Sequence, residues 1–245
     1  MTSFLVALQF LTRIPIKLKQ QSTEKQSAQS LLFYPVVGLL IGLVIYVLNI
    51  ALSEANDMLR AAIVLVIWVL ITGALHLDGL ADSADAWIGG FGDKDKTLAI
   101  MKDPYCGPVG VVTLVLVLLL KFSLIISITE ELGFLLILVP FLARTSVIWS
   151  FLSIPYVREN GLGTIINTYF PKRLAIILLA TISCCIVLVS GWLGIIFLLF
   201  ISCFIFLLKR ILLKRIEGMT GDILGAQIEI LEASLLLVGL LVSAY

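Results

Sequence analysis

Long apolar runs alternate with short polar segments along most of the chain. Each run is close to the length of about 20 helical residues that crosses a bilayer. The pattern predicts about seven membrane-spanning helices, with six or eight as the alternatives. The predicted spans cover residues 31–52, 60–77, 108–129, 133–152, 174–190, 192–208 and 223–244. Only Ser190 and Gly191 separate the fifth span from the sixth, so these two form either a tight helical hairpin or one broken segment.

The composition supports a single integral membrane domain. Of the 245 residues, 60% are hydrophobic and 13% are charged, whereas a soluble domain carries about 25% charged residues. Because no linker, internal repeat or low-complexity tract divides the chain, residues 1–245 are predicted to form one all-α polytopic bundle. A net charge of +1 gives no electrostatic reason to expect a nucleic-acid partner. A homo-oligomer is compatible with this sequence.

The positions of Lys and Arg predict the orientation in the membrane. Short cytoplasmic loops keep positive charge, whereas exported loops lose it. With the amino terminus inside, fourteen of the 17 Lys and Arg residues fall in inner segments, and Arg60 alone falls in an outer loop. The amino terminus is therefore expected in the cytoplasm. The amino-terminal arm, residues 5–18, either lies on lipid of the inner leaflet as an amphipathic helix or folds onto the bundle as a cover.

Three aspartates follow the second predicted span at offsets of zero, four and seven. On a helix, Asp78, Asp82 and Asp85 fall within an arc of about 60°. Like charges so close together repel unless water screens them or a cation neutralises them, and carboxylates favour a hard divalent ion. The spacing therefore indicates a site for Mg²⁺ or Mn²⁺, or else a solvated helix end. Since His76 is the only histidine and no cysteine pair lies nearby, a zinc site is poorly supported.

Glycines and a lysine accompany these aspartates. Gly79 belongs to a group of glycines around the aspartates that allows close approach of backbone to a ligand, or simply tight helix packing. Further along, Lys102 stands beside Asp103, ahead of Gly107 and Gly110 at the start of the third span. Lys102 is a candidate for contacting phosphate. Alternatively, it is an ordinary lysine of a cytoplasmic loop, where positive charge is common.

Ionisable residues also occur within the predicted spans. Asp222, Glu229 and Glu232 share one stripe of the last span, where charge is costly and normally faces a cavity or a partner. Alternatively, this helix starts later and both glutamates lie at the inner interface. Arg144, deep in the fourth span, is a candidate partner for phosphate or for an inner aspartate. Lys121 is expected to extend outward to the acidic loop at 130–131 and receives no functional role.

Several sequence motifs together resemble the cobalamin synthase family of membrane enzymes. The two most specific are LHLDGLADSADAW at 75–87 and TGDILGA at 220–226. The others are TRIP at 12–15, FYPVVGLLIG at 33–42, IMKDPYCGPVG at 100–110 and PYVRENGLG at 155–163. These motifs run from one end of the chain to the other in the order found in the family.

The resemblance implies an adenosylcobinamide-GDP ribazoletransferase of a prokaryotic plasma (inner) membrane, with its active site facing the cytoplasm. Such an enzyme joins α-ribazole, or its 5'-phosphate, to adenosylcobinamide-GDP and releases GMP. Under this hypothesis Mg²⁺ is the cofactor and Asp78, Asp82 and Asp85 bind it. Either one of these aspartates or Asp222 accepts the hydroxyl proton. The residues expected at the diphosphate or near the substrate are Lys102, Arg144, Arg158, Asp103 and Gly79.

Two other classes of protein share parts of this pattern. CDP-alcohol phosphotransferases also place aspartates at inner helix ends in a D-G-x-x-A context, but the arginine and the later paired aspartates of that motif are missing here. Transporters use intramembrane carboxylates to relay protons or cations. The acidic groups of this chain cluster toward one predicted membrane face, which favours an enzyme.

Overall fold

A computed structural model describes residues 1–17, 21–158 and 162–243. The middle of the 155–163 motif and the end of the last predicted span lie outside the described residues. Eleven α-helices and one 3₁₀ helix, Leu31–Phe33, account for the regular structure of the described ranges. The α-helices are α1 (Thr2–Leu11), α2 (Glu24–Ser30), α3 (Tyr34–Ala51), α4 (Asp57–Thr72), α5 (Leu75–Gly89), α6 (Lys94–Ile100), α7 (Pro108–Ile126), α8 (Leu135–Ser153), α9 (Leu162–Tyr169), α10 (Lys172–Arg215) and α11 (Gly221–Ser243).

The predicted all-α membrane bundle is confirmed. In the described part of the chain, five helical segments are long and apolar enough to cross a membrane. They are Glu24–Ala51, which joins α2 to α3, and the helices α7, α8, α10 and α11. Helices α4 and α5 meet the same criterion only as a pair, and they are bent by 86°. The number of crossings and the orientation of the amino terminus stay predictions.

The bend between α4 and α5 divides the predicted span 60–77. Gly73 and Ala74 have φ angles of 61° and 57°, so two consecutive residues adopt the left-handed conformation. The helical hydrogen-bond pattern cannot continue through such a pair, because right-handed helices require negative φ. The expectation of one continuous helix through residue 77 is therefore wrong. A new helix begins at Leu75 and carries the three aspartates.

Helix α10 contains a sharp reversal at Gly191, where φ is 55° and ψ is −130°. A Cβ added to Gly194 would lie 2.7 Å from the carbonyl oxygen of Ile186. Residues eight positions apart lie about 12 Å apart along a straight helix, so the two halves of α10 must double back on each other. The predicted break beside Ser190 is confirmed, and it has the form of a helical hairpin.

Helices α8 and α11 form the centre of the bundle. Burial covers 72% of the most apolar stretch of α8 and 67% of that of α11, compared with 22% for α7 and 28% for α10. Helices α3, α5 and α7 pack around this centre. Helix α1 packs on α2 and α3 and buries Ala7 and Leu11, so the arm folds onto the bundle as a cover.

Candidate functional site

The three clustered aspartates lie on α5, as the spacing predicts. Asp78 is exposed, whereas Asp82 and Asp85 are half-buried. The negative charges of Asp78, Asp222 and Asp85 all act on Asp82, and the positive charge of Arg158 partly offsets them. The fold therefore adds a fourth carboxylate, from the start of α11, to the three that are close in sequence.

Asp85 anchors the beginning of α7. Its Oδ2 accepts a hydrogen bond from the Gly107 N–H at 2.6 Å, and its Oδ1 accepts one from the Gly110 N–H at 2.9 Å. The first N–H groups of a helix have no partner within the helix, and a carboxylate there also interacts favourably with the helix dipole. Both oxygens of Asp85 are thus engaged by backbone donors. In the described residues, no hydrogen bond engages the carboxylates of Asp78 and Asp82.

Gly79 brings the two acidic helices together. A Cβ at this position would lie 2.7 Å from the carbonyl oxygen of Asp222, so the backbones of α5 and α11 touch here. No side chain larger than hydrogen fits without a shift of one helix. The structure thus gives Gly79 a packing contact, and this contact places Asp78 and Asp222 on the same cavity.

A backbone bridge positions Arg158 beside Asp222. The Val157 N–H donates to the Met219 carbonyl at 3.0 Å, and the Met219 N–H donates to the Pro155 carbonyl at 2.8 Å. Arg158 Nη2 then lies 3.3 Å from Asp222 Oδ2. Two segments far apart in sequence are held side by side, which supplies the acidic site with a cation.

An apolar cavity of about 280 Å³ lies beside these charges. Asp78, Asp222 and Arg158 are the charged residues of its lining. Most of its wall is formed by aliphatic and aromatic side chains, among them Phe10, Leu75, Val147, Phe151, Leu224 and Ile228. We refer to it as the apolar cavity.

Tyr156 also lines the apolar cavity, in the segment between α8 and α9. Burial raises the pKa of its phenol above the ordinary value. The hydroxyl therefore keeps its proton at neutral pH and can donate a hydrogen bond to a ligand.

A second cavity, of about 270 Å³, also has Arg158 in its lining. Its lining includes Lys94, Lys102, Arg158 and Thr220, and we refer to it as the basic groove. Lys94 Nζ is also 2.5 Å from Glu217 Oε2. The structure thus brings Lys102 and Arg158, two predicted diphosphate contacts, to one groove. Arg158 lines both cavities.

Asp103 lies outside both cavity linings. It is exposed, and its Oδ1 accepts a hydrogen bond from the Tyr105 N–H at 3.1 Å. This contact closes a local turn, so the structure does not bring Asp103 together with Lys102 at the groove.

Buried charges form a network behind the apolar cavity. Glu232 accepts hydrogen bonds from Lys121 and Arg144, and Lys121 Nζ lies 2.5 Å from Glu229 Oε2. Arg144 Nη2 lies 3.3 Å from His76 Nδ1. Because arginine can only donate, Nδ1 of His76 accepts and Nε2 carries the hydrogen. The network joins α5, α7, α8 and α11.

This network contradicts the sequence expectation for Lys121 and bears on the one for Arg144. Lys121 is 2% exposed and pairs inward, so the expectation that it extends toward residues 130–131 is wrong. Two carboxylates on α11 attract it more strongly than a distant, solvated loop can. Arg144 is fully buried against Glu232 and lies outside both cavity linings. Contact between Arg144 and a diphosphate stays a prediction. The burial of Arg144 against Glu232 does not favour it.

The carboxylates of α5 are compatible with magnesium. In the described ranges, no group of three His, Cys, Asp or Glu side chains converges closely enough to hold a metal ion. Mg²⁺, however, usually takes one or two protein carboxylates and completes its shell with substrate phosphate oxygens and water. Asp78 and Asp82, one helical turn apart, provide such a pair.

Comparison with known proteins supports the resemblance found in the motifs. Residues 3–240 match the family model described as cobalamin-5-phosphate synthase (CobS). A protein of Pseudomonas syringae pv. syringae named adenosylcobinamide-GDP ribazoletransferase is 48% identical over 97% of this chain and 98% of its own length. A protein of Acinetobacter baumannii with the same name is 46% identical over 96% of each chain. No solved structure matches.

Proposed function

Because this chain belongs to the cobalamin-5-phosphate synthase family, we propose that it is an adenosylcobinamide-GDP ribazoletransferase. It joins α-ribazole, or its 5'-phosphate, to adenosylcobinamide-GDP and releases GMP. A relative from Pseudomonas fluorescens with this name is 46% identical over 94% of the chain. The alignment covers nearly all of both chains, so we propose the activity for the whole of this protein.

One observation of the geometry carries the proposal. Arg158 lines both a basic groove and an apolar cavity, and carboxylates of α5 and α11 line the cavity beside it. Phosphoryl transfer needs cations for the phosphates, carboxylates for a proton or a metal, and a protected place for the acceptor. All three lie around one arginine.

The reaction exchanges one phosphorus–oxygen bond for another. The ribose hydroxyl oxygen of the acceptor forms a bond to the corrinoid-side phosphorus of adenosylcobinamide-GDP. The bond from that phosphorus to GMP breaks, and GMP leaves with the electron pair. A carboxylate, Asp82 or Asp222, accepts the hydroxyl proton. Lys102 and Arg158 hold the diphosphate and offset the negative charge that develops on the departing GMP.

Asp78 and Asp82 would hold Mg²⁺. The ion would neutralise charge on the phosphoryl oxygens when it is bound. Since both oxygens of Asp85 accept backbone hydrogen bonds, we assign Asp85 to positioning α7 relative to α5.

We place the enzyme in the prokaryotic inner membrane with this site on the cytoplasmic side. The basic groove is lined by three cations, Lys94, Lys102 and Arg158, from segments between the long apolar helices. Retention of such loops in the cytoplasm is the usual topology. Labelling of single cysteines from either side of inverted membrane vesicles tests the orientation.

The activity is tested with membranes that contain the protein, adenosylcobinamide-GDP and Mg²⁺, with α-ribazole and its 5'-phosphate supplied in parallel. We expect GMP and a completed cobamide. Asp82→Asn should lower turnover by about 10²–10⁴-fold, the usual contribution of a positioned acid–base group. Asp95→Asn is the matched control, because Asp95 is exposed on α6. Near-normal turnover by the Asp82 variant would remove this residue from the site, and release of CMP from CDP-diacylglycerol would favour a CDP-alcohol phosphotransferase.

A further inference from the structure

The two cavities that meet at Arg158 differ in their chemistry. The basic groove presents Lys94, Lys102 and Arg158. The apolar cavity presents mostly hydrocarbon and aromatic rings, and its charged groups are Asp78, Asp222 and Arg158. A reaction with two substrates can therefore hold each substrate in a different compartment.

The diphosphate of the donor fits the basic groove better than the apolar cavity. Ammonium and guanidinium groups attract the negative oxygens of a diphosphate. Among the described residues, the lining of the groove holds three cations and no carboxylate, whereas the lining of the apolar cavity holds one cation, Arg158, and two carboxylates. The donor diphosphate therefore belongs in the basic groove.

The polarity of the wall selects the occupant of the apolar cavity. A corrinoid macrocycle carries polar amide groups around its rim, and most of these would stay unpaired against a mostly apolar wall. Guanine carries more hydrogen-bonding groups than a benzimidazole, and a wall that includes Val147, Phe151 and Ile228 leaves more of them unpaired at a cost. The base of α-ribazole is a flat benzimidazole with two methyl groups, and such a surface gains from contact with apolar walls.

We propose, on the basis of the function inferred above, that the apolar cavity binds the acceptor nucleoside while the basic groove binds the diphosphate of the donor. The base lies among Val147, Phe151 and Leu224, and the ribose points toward Asp78 and Asp222. The attacking hydroxyl then reaches the phosphorus from the cavity, and GMP departs through the groove.

Helix α1 takes part in this arrangement. Phe10 and Leu11 at its end line the apolar cavity, and Leu11 is 1% exposed. The amino-terminal helix thus contributes part of the wall of the acceptor compartment.

The test compares Michaelis constants for the two substrates in three variants. Leu224→Ala should raise KM for α-ribazole by about tenfold, because lost apolar contact with a substrate is worth about 10–200-fold. The KM for adenosylcobinamide-GDP should change less than about twofold. Lys102→Gln should have the reverse effect, since it removes a cation from the groove. Leu179→Ala is the matched control, because Leu179 is also a half-buried leucine that lines a cavity, the one between α8 and α10.

Equilibrium binding of α-ribazole to the purified protein in nanodiscs gives a measurement independent of turnover. We expect weaker binding in Leu224→Ala and unchanged binding in Lys102→Gln and Leu179→Ala. If Leu224→Ala weakens only the binding of the donor, guanine occupies the cavity and the inference is overturned. Equal effects of Leu224→Ala on both substrates, or none on either, also overturn it. These outcomes require an active wild-type enzyme, whereas absence of GMP from the wild type would contradict the proposed function itself.

Discussion

The buried charge network behind the apolar cavity makes a strong prediction about stability. It contains two cations, Lys121 and Arg144, and two carboxylates, Glu229 and Glu232, so its formal charge is zero. Lys121→Met keeps most of the aliphatic side chain but removes the positively charged ammonium group, which lies 4.8 Å from the centre of the Trp68 ring. The remaining buried groups would then carry a net charge of minus one.

The expected cost follows from the burial of the network. Glu229 and Glu232 are 4% and 0% exposed, so water cannot screen an unpaired carboxylate. Loss of one partner from a buried ion pair costs about 3–5 kcal/mol. Insertion scales give about 2.5–3.5 kcal/mol for a charge at the centre of a membrane helix. We take the loss of stability as about 3 kcal/mol. A chain of this size loses about 2–4 °C of Tm per kcal/mol, so the apparent Tm should fall by about 6–12 °C.

A double variant separates charge imbalance from lost packing. Lys121→Met combined with Glu229→Leu leaves Arg144 paired with Glu232, which restores neutrality. We expect the double variant to be more stable than Lys121→Met, with a coupling of about 2–3 kcal/mol between the two sites. Thermal unfolding of the protein in lipid nanodiscs, at one scan rate for all variants, measures this. Stability losses of Lys121→Met and Glu229→Leu that simply add in the double variant would refute the argument. A Lys121→Met variant that melts within 2 °C of the wild type would also refute it.

Two further variants test how the acidic helices are held. Gly79→Ala should cost about 1–3 kcal/mol and lower turnover, because its Cβ would lie 2.7 Å from the Asp222 carbonyl oxygen; wild-type activity would show that α5 and α11 can separate freely. Asp85→Asn should cost about 1 kcal/mol, because the amide keeps only one acceptor for the two N–H groups that begin α7. The Mg²⁺ concentration for half-maximal activity should not change in this variant, and a large increase would identify Asp85 as a metal ligand.

The fold class and part of the acidic site could be predicted from the sequence because they depend on local spacing. A run of about 20 apolar residues favours a membrane helix, because only a helix pairs its own backbone groups within one segment in lipid. In the same way, offsets of four and seven place Asp78, Asp82 and Asp85 on one face of any helix that contains them. The break beside Gly191 was also visible, as a polar and flexible interruption between two apolar runs.

The bend after α4 was not visible in the hydrophobic pattern. Gly73 is an ordinary candidate for a left-handed residue, but Ala74 is not, because a Cβ disfavours positive φ. Helix α5, which begins directly after Ala74, packs against α7 and α11, and these contacts are not specified by the local sequence. Hydropathy continues across the bend, so it predicted one helix through residue 77.

Partners that are distant in sequence were decided only by the tertiary structure. Arg158 meets Asp222 because a backbone bridge joins their two segments, and Lys121 meets Glu229 because α7 packs beside α11. Sequence spacing determines which residues share a helix face, since helical geometry is the same everywhere. It does not determine which faces meet, because that choice depends on the packing of the whole bundle and on the cost of leaving any buried charge unpaired.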